Sequence, residues 1–163
     1  MREYGLSLLV AAAVTFLVMP VVRALAVRAG AVAGVRDRDI HDHAIPRWGG
    51  LGMFLGLAAG MLLASKLPMM RTVFDSATKE SVALLSGALI IVVLGLVDDR
   101  WELDAPTKMA GQVLAAAVMA LQGITLLWLP IDGVLVLDPT TSVLLTVLIV
   151  LISVNAINFI DGL

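Results

Sequence analysis

The chain has no cysteine in its 163 residues. That excludes a disulfide framework and any thiolate metal site. Charge is scarce too. Asp, Glu, Lys and Arg together make up 15% of the residues, against about a quarter in an ordinary soluble domain. Net charge is −2 and no basic block is present, which argues against nucleic acid as a partner. Aromatic residues amount to 5%, with a single tyrosine. There is neither an internal repeat nor a low-complexity stretch. What remains is apolar: 60% of the residues are hydrophobic and the mean hydropathy is +1.01. The solvent such a chain is built for is a bilayer.

Five near-continuous apolar segments stand at 5–27, 48–65, 82–97, 109–129 and 142–160. Each approaches the ~20 residues that cross a hydrocarbon core, the third being the shortest. Backbone groups in hydrocarbon must pair within their own segment, so each is expected to be a helix. The expected fold class is an all-α, polytopic integral membrane protein with about five transmembrane helices, in one membrane-embedded domain over 1–163. The first run is too long for a signal-peptide core and has no convincing cleavage site, so it reads as a retained helix. Pro20 is expected to kink it, and Arg23 to snorkel to the headgroups. Gly49, Gly50, Gly52, Gly56 and Gly60 stripe the second segment at a spacing suited to close helix contact. Trp48, Trp101 and Trp128 fall at segment ends, where aromatic belts sit.

Charge then gives a topology. Arg23, Arg28, Arg36, Arg38, Arg47, Arg100 and Lys108 fall on one side of five spans, and Arg2, Lys66, Arg71 and Lys79 on the other. The positive-inside rule puts the richer side in the cytoplasm and the N-terminus outside. The same parity places "HDHAIPRWGG", "DDRWELDAPTK" and "NAINFIDGL" on one face.

That face carries the chemistry. Asp98 and Asp99 end the third segment and Asp161 the fifth. Carboxylates at helix C-termini oppose the macrodipole and need compensation, which a divalent cation supplies. Magnesium takes one or two carboxylates when it also holds substrate phosphates. The plainer reading is a pair of aspartates facing water and an Asp-Gly helix stop. Asn155 and Asn158, three apart, share a helix face, either hydrogen-bonded to another helix or turned to a wet cavity. Lys108 follows Pro106 at the start of the fourth helix, where a cation and a helix N-terminus form an anion site, or where a lysine simply snorkels. Gln112 lies one turn further on the same face. His41 and His43 make a loop pair that binds zinc or is merely solvated. Arg47 is placed to meet a phosphate or a headgroup.

Together these stretches resemble a known family. "HDHAIPRWGG" is similar to an H-x-x-x-x-P-R-x-G-G loop. "GLVDDRWELDAPTKMAGQ" is similar to a G-x-x-D-D segment followed by K-x-x-x-Q, and "NAINFIDGL" to the start of N-x-x-N-F-x-D-G-x-D-G. The family is that of the polyprenyl-phosphate N-acetylhexosamine-1-phosphate transferases, glycosyl transferase family four. The resemblance covers the whole chain and about the first half of a family member. It implies ten or eleven membrane helices, a cytoplasmic active site, and transfer of a sugar-1-phosphate from a UDP-sugar to a lipid phosphate with release of UMP. It implies Mg2+ as cofactor, with Mn2+ as a substitute, held by Asp98, Asp99 and Asp161. Asp98 and Asp99 would be the essential acidic pair and Lys108 the phosphate-binding lysine. Asn155, Asn158 and Asp161 would serve the nucleotide-sugar region, with His41, Pro46 and Arg47 beside it. Where the MurNAc-pentapeptide branch has P-T-M-G-G, this chain has Pro46-Arg47-Trp48-Gly49-Gly50, which with His41 looks more like the UDP-GlcNAc branch. The implied partners are polyprenyl phosphate, a UDP-sugar and the bacterial plasma membrane, and a homodimer is compatible with them. The family's second Asp-Gly would begin after Leu163, so the 163 residues alone are expected to be inactive. A phospho-MurNAc-pentapeptide transferase, and a transporter or scaffold fragment without catalysis, stand as the alternatives.

Overall fold

The structure is a computed structural model and describes residues 2–33, 45–130 and 133–161. Its contacts divide the chain into two compact units. The first holds Met1–Ser76 and Val92–Leu103, and the second Ala77–Ile91 and Asp104–Leu163.

Each of the five apolar segments contains a helix, the fourth only as far as Leu121. In chain order the helices are α1 (Arg2–Ala29), α2 (Gly49–Ala64), α3 (Pro68–Ser76), α4 (Thr78–Trp101), α5 (Ala105–Leu121) and α6 (Pro139–Asp161). Three of these, α1, α4 and α6, are long and apolar enough to cross a membrane. Counting α2 and α3 as one bent span makes four, and α5 is a shorter apolar helix. The chain is an all-α, multi-pass membrane protein.

Burial is inverted relative to a soluble domain. The buried apolar residues are small, among them Val22, Ala26, Ala83, Ala115 and Ala116, whereas Leu8, Phe16, Leu17 and Phe159 stand exposed. Helices in lipid associate by close backbone approach, and large apolar side chains are left for the acyl chains.

In the first unit α1 and α2 pack antiparallel. Gly52 faces Met19, Gly56 faces Thr15 and Ala11, and Gly60 faces Ala11 and Ser7. Gly49 and Gly50 have no such neighbour, so the working stripe is shorter than the sequence pattern. α1 runs unbroken through Pro20. It ends in a Schellman turn: Gly30 takes φ +73°, its N–H donates to Val27 O, and Ala31 N–H donates to Ala26 O. A two-residue ladder follows, β1 (Val32–Ala33) against β2 (Ile45–Pro46), antiparallel in register Val32 to Pro46. The stretch 66–81, between the second and third apolar segments, contains α3.

The second unit packs α5 on α6. The expected fourth span, 109–129, starts four residues earlier, at Ala105, and ends eight residues earlier, at Leu121. Asp104 caps the start, its carboxylate accepting Thr107 N–H at 3.3 Å, with Pro106 in the first turn. A second Schellman turn at Gly123 (φ +107°) ends it, with Ile124 N–H on Met119 O. The apolar residues beyond become extended and form β3 (Trp128–Leu129) against β4 (Leu135–Val136). Buried Ser142 and Thr146 tie α6 to that strand approach: Thr146 Oγ1 accepts Leu126 N–H at 2.8 Å, and the Ser142 hydroxyl donates to Leu126 O.

Candidate functional site

Asp98 and Asp99 lie in the last turn of α4, both half-buried, within the first unit. The end of α4 has no glycine to turn on. Glu102 takes the left-handed conformation instead, at φ 48°, and donates its N–H to Asp98 O at 2.8 Å. Leu103 N–H, the next donor along, goes to the Asp98 carboxylate at 2.9 Å. Asp98 therefore closes its own helix end with both its backbone and its side chain. Carboxylate acceptance of a backbone N–H makes up part of the cost of a non-glycine residue in that conformation.

The end of α1 and the start of α2 meet this helix end. A Cβ added to Gly30, at the end of α1, would lie 3.7 Å from Nε of Arg100. Ala29, Trp48, Val97, Arg100 and Trp101 line one cavity of about 380 Å³ there. The Arg100 guanidinium lies 5.8 Å from the Trp101 ring centroid. Arg47, half-buried, is fixed at the same end by its backbone N–H on Ala31 O at 3.1 Å. The first unit thus brings together the "PRWGG" start of α2 and the Asp-Asp end of α4, as the sequence parity requires. His41 and His43 lie outside the described residues.

The second unit carries the rest. Lys108 is half-buried in the first turn of α5, its N–H on Asp104 O at 3.1 Å. Gln112, one turn on, is 4% exposed. Its Oε1 accepts a hydrogen bond from Asn155 Nδ2 of α6 at 2.7 Å, and the same amide donates to Leu151 O at 2.8 Å. Of the two readings open for Asn155, the structure shows the interhelical one. Asn158 stands exposed one turn further along α6. Asp161 is the last helical residue, and the expectation for its carboxylate lies outside the described side chains. Sequence alone missed the Gln112 partner and the double duty of Asp98. The i, i+4 spacing of Lys108 and Gln112 gave a face but not what covers it.

The donor set suits a hard cation. Among the described residues no three His, Asp or Glu side chains gather into a metal cluster. Magnesium that also holds substrate phosphates needs only one or two protein carboxylates, which adjacent Asp98 and Asp99 provide.

The sequence model of glycosyl transferase family 4 matches residues 81–163, from α4 to the last residue. The chain belongs to glycosyl transferase family 4. Its family relatives include the decaprenyl-phosphate N-acetylglucosaminephosphotransferases of Mycolicibacterium smegmatis and Mycobacterium tuberculosis. Each is 46% identical over 167 residues, an alignment covering 100% of this chain and 41% of the relative. A probable undecaprenyl-phosphate N-acetylglucosaminyl 1-phosphate transferase of Bacillus subtilis is 32% identical over 90% of the chain and 39% of its own length. The chain spans about two fifths of the length of these relatives. No solved structure matches it.

Proposed function

We propose that the protein transfers GlcNAc-1-phosphate from UDP-GlcNAc to polyprenyl phosphate on the cytoplasmic face of a bacterial plasma membrane. UMP leaves, and a lipid-pyrophosphoryl-GlcNAc remains. The observation that carries this is the 46% identity to N-acetylglucosaminephosphotransferases along the whole chain.

The chemistry follows from the charges. A phosphate monoester has its second pKa near about 6, so the lipid phosphate arrives mostly dianionic and needs little deprotonation. One of its oxygens attacks the sugar-bearing phosphorus of UDP-GlcNAc. A new P–O bond forms as the bond to UMP breaks. The obstacle is bringing two anions together. Asp98 and Asp99 would hold Mg2+, which when bound would neutralise charge on the pyrophosphate and the departing UMP. Lys108 and the N-terminus of α5 offset the negative charge of the acceptor. Asp98 holds its own helix end through Leu103, so it positions as well as charges the site. Asn155 acts through Gln112, fixing α5 against α6 and so the helix that bears Lys108. Asn158 with Asp161, and Arg47 with His41, serve the nucleotide sugar and its phosphates. Catalysis is then positioning and electrostatics.

The test uses the full-length protein in liposomes with UDP-GlcNAc and polyprenyl phosphate. Asp98→Asn keeps an oxygen for Leu103 N–H and removes the charge, and Asp99→Asn removes the neighbouring one. Both variants are expected to insert normally and to lose UMP release by roughly a hundredfold or more, the scale on which a charge-stabilising group acts. Near-native release by both would overturn the assignment. Asp98→Ala also loses the Leu103 bond, and should melt earlier than Asp98→Asn by about 1 kcal/mol.

A further inference from the structure

Trp48 stands at the N-cap position of α2, and its side chain makes no cap hydrogen bond. Its indole N–H is buried, and among the described residues nothing accepts from it. A buried donor without an acceptor is destabilising, so the position invites one. Trp48 also lines a cavity of about 360 Å³ with Met19, Val22, Arg23, Pro46 and Gly49. Ligand pockets span roughly 300–1,000 Å³, so this one suits a headgroup rather than a larger molecule.

Three features fit the cavity to an anion. Arg23 brings an exposed guanidinium that, among the described residues, has no ion pair. The indole supplies a neutral donor. The N-terminus of α2 adds the positive end of a helix dipole that no side chain caps. Gly49 and Gly50 leave that end bare, since nothing lies within 4 Å of where their Cβ atoms would be.

The surroundings select the kind of anion. Arg23 precedes the end of α1 at Ala29 by about 9 Å along the axis. Val21, Leu25 and Val27 around it are all exposed. Such side chains belong against acyl chains, and a cation among them needs an anion at the same depth. Phe16, about two turns before Arg23 on the same face of α1, is 79% exposed, and Met53, one turn after Gly49, is 66% exposed. α1 and α2 run antiparallel, so Phe16 and Met53 flank one side of the pair and continue the cavity toward the middle of the membrane. Ala29, which lines the cavity toward α4, lies about 120° from Arg23 around α1. Arg23 therefore stands on a different flank of α1 from the one that meets the Asp98–Asp99 helix end.

We propose that this cavity binds the phosphodiester headgroup of an anionic phospholipid, as a resident lipid and not as the acceptor of the transfer reaction. Arg23 and the Trp48 indole N–H hold the phosphate beside the N-terminus of α2, and an acyl chain runs over Phe16 and Met53. The lipid ties the start of α2 to α1.

Native mass spectrometry of the delipidated full-length protein, titrated with phosphatidylglycerol and separately with phosphatidylcholine, tests this. One phosphatidylglycerol per protomer should bind ahead of the rest, and phosphatidylcholine should show no such step. Trp48→Phe keeps an aromatic ring and removes the donor, and should weaken the first step roughly tenfold, the scale of a hydrogen bond to a charged group. Arg23→Gln should weaken it at least as far, and Arg23→Lys should restore part of the loss. The variants alter different elements, so melting without lipid identifies a disturbed protein and the other variant decides. Equal first-step affinity in wild type, Trp48→Phe and Arg23→Gln would overturn the proposal. So would displacement of the lipid by an equal concentration of glycerophosphoglycerol, which would mean a site for free phosphodiesters. Displacement by UDP-GlcNAc or polyprenyl phosphate would assign the cavity to the substrates, and a lipid-free dimer that excludes phosphatidylglycerol would mean that a second copy covers this face. Either would overturn it as well.

Discussion

Asp98 shows how one residue can be chosen for two reasons. The sequence marks it as half of an acidic pair at a helix end, and the structure adds that its carboxylate takes Leu103 N–H. The pair was legible because two adjacent carboxylates against a helix dipole are conspicuous. The second duty was not, because it depends on Glu102 adopting φ 48°, a conformation that sequence does not announce for a glutamate. Asp138 is the simpler case. It stands just before α6 and accepts Thr140 and Thr141 N–H, each at 3.1 Å, as an N-cap. Hydrogen bonds from the Thr141 side chain, then from the Thr141 and Thr140 backbone, hold its carboxyl below the ordinary 3.8. A carboxyl depressed on folding stabilises the fold above its unfolded value and stops doing so as pH falls through the lower folded value. The first turn of α6 should therefore loosen under acid. Amide exchange at Thr141 and Ser142 should rise on acidification relative to Asp138→Asn, whose amide keeps the cap oxygen but does not titrate. Equal exchange in the two proteins throughout the acid range would show that the cap is not coupled to the proton.

Glycine spacing on the second apolar segment predicts close helix contact, and α2 meets α1 through Gly52, Gly56 and Gly60. The stripe does not say how close each contact is, and that decides what substitution does. A Cβ on Gly56 would collide with Thr15 Oγ1 and come within 2.5 Å of the Ala11 carbonyl, which is backbone and cannot swing away. On Gly60 the nearest atoms are Ala11 Cβ at 3.0 Å and Ser7 O at 3.1 Å. On Gly87 of α4 the collision is with the Met119 side chain, which is flexible and can move. Gly56→Ala should cost about 1–3 kcal/mol, as overpacking does, with Gly60→Ala costing less and Gly87→Ala least. Gly50→Ala, with nothing near it, sets the baseline. Thermal unfolding in one detergent orders the four, and a Gly87→Ala protein less stable than Gly56→Ala would break the argument. Helix ends were harder to read than helix existence. The apolar run 124–129 continues the composition of α5, yet Gly123 stops the helix and the run pairs as a hairpin with Leu135–Val136. α3 was missed altogether, because nine mixed residues give too short a period for sequence to separate from a loop.

Membrane topology is the property of the whole chain most open to counting, since every span inverts the side. With five apolar segments, the lysine and arginine distribution predicts an N-terminus outside and an Asp98–Asp99 helix end in the cytoplasm. Helix lengths alone leave the number of spans at three, or four with the bent pair, so the count needs a spatial constraint. The first unit supplies one: the end of α1 at Gly30 lies against Arg100 at the end of α4, so those two ends share a side. α3 is held by Glu3 at the opposite end of α1, so it belongs to the other side. Single cysteines separate these placements, because the chain has none of its own. In the full-length protein in intact cells, a membrane-impermeant maleimide should label Thr72→Cys and spare Arg28→Cys and Glu102→Cys. Those two should react only after the membrane is opened. Labelling of Arg28→Cys and Glu102→Cys from opposite sides would separate the first loop from the acidic pair and remove the basis for a shared phosphate site. Labelling of both from outside, with Thr72→Cys protected, would keep that basis and invert the protein. The site would then be cut off from the cytoplasmic UDP-sugar that the proposed reaction consumes.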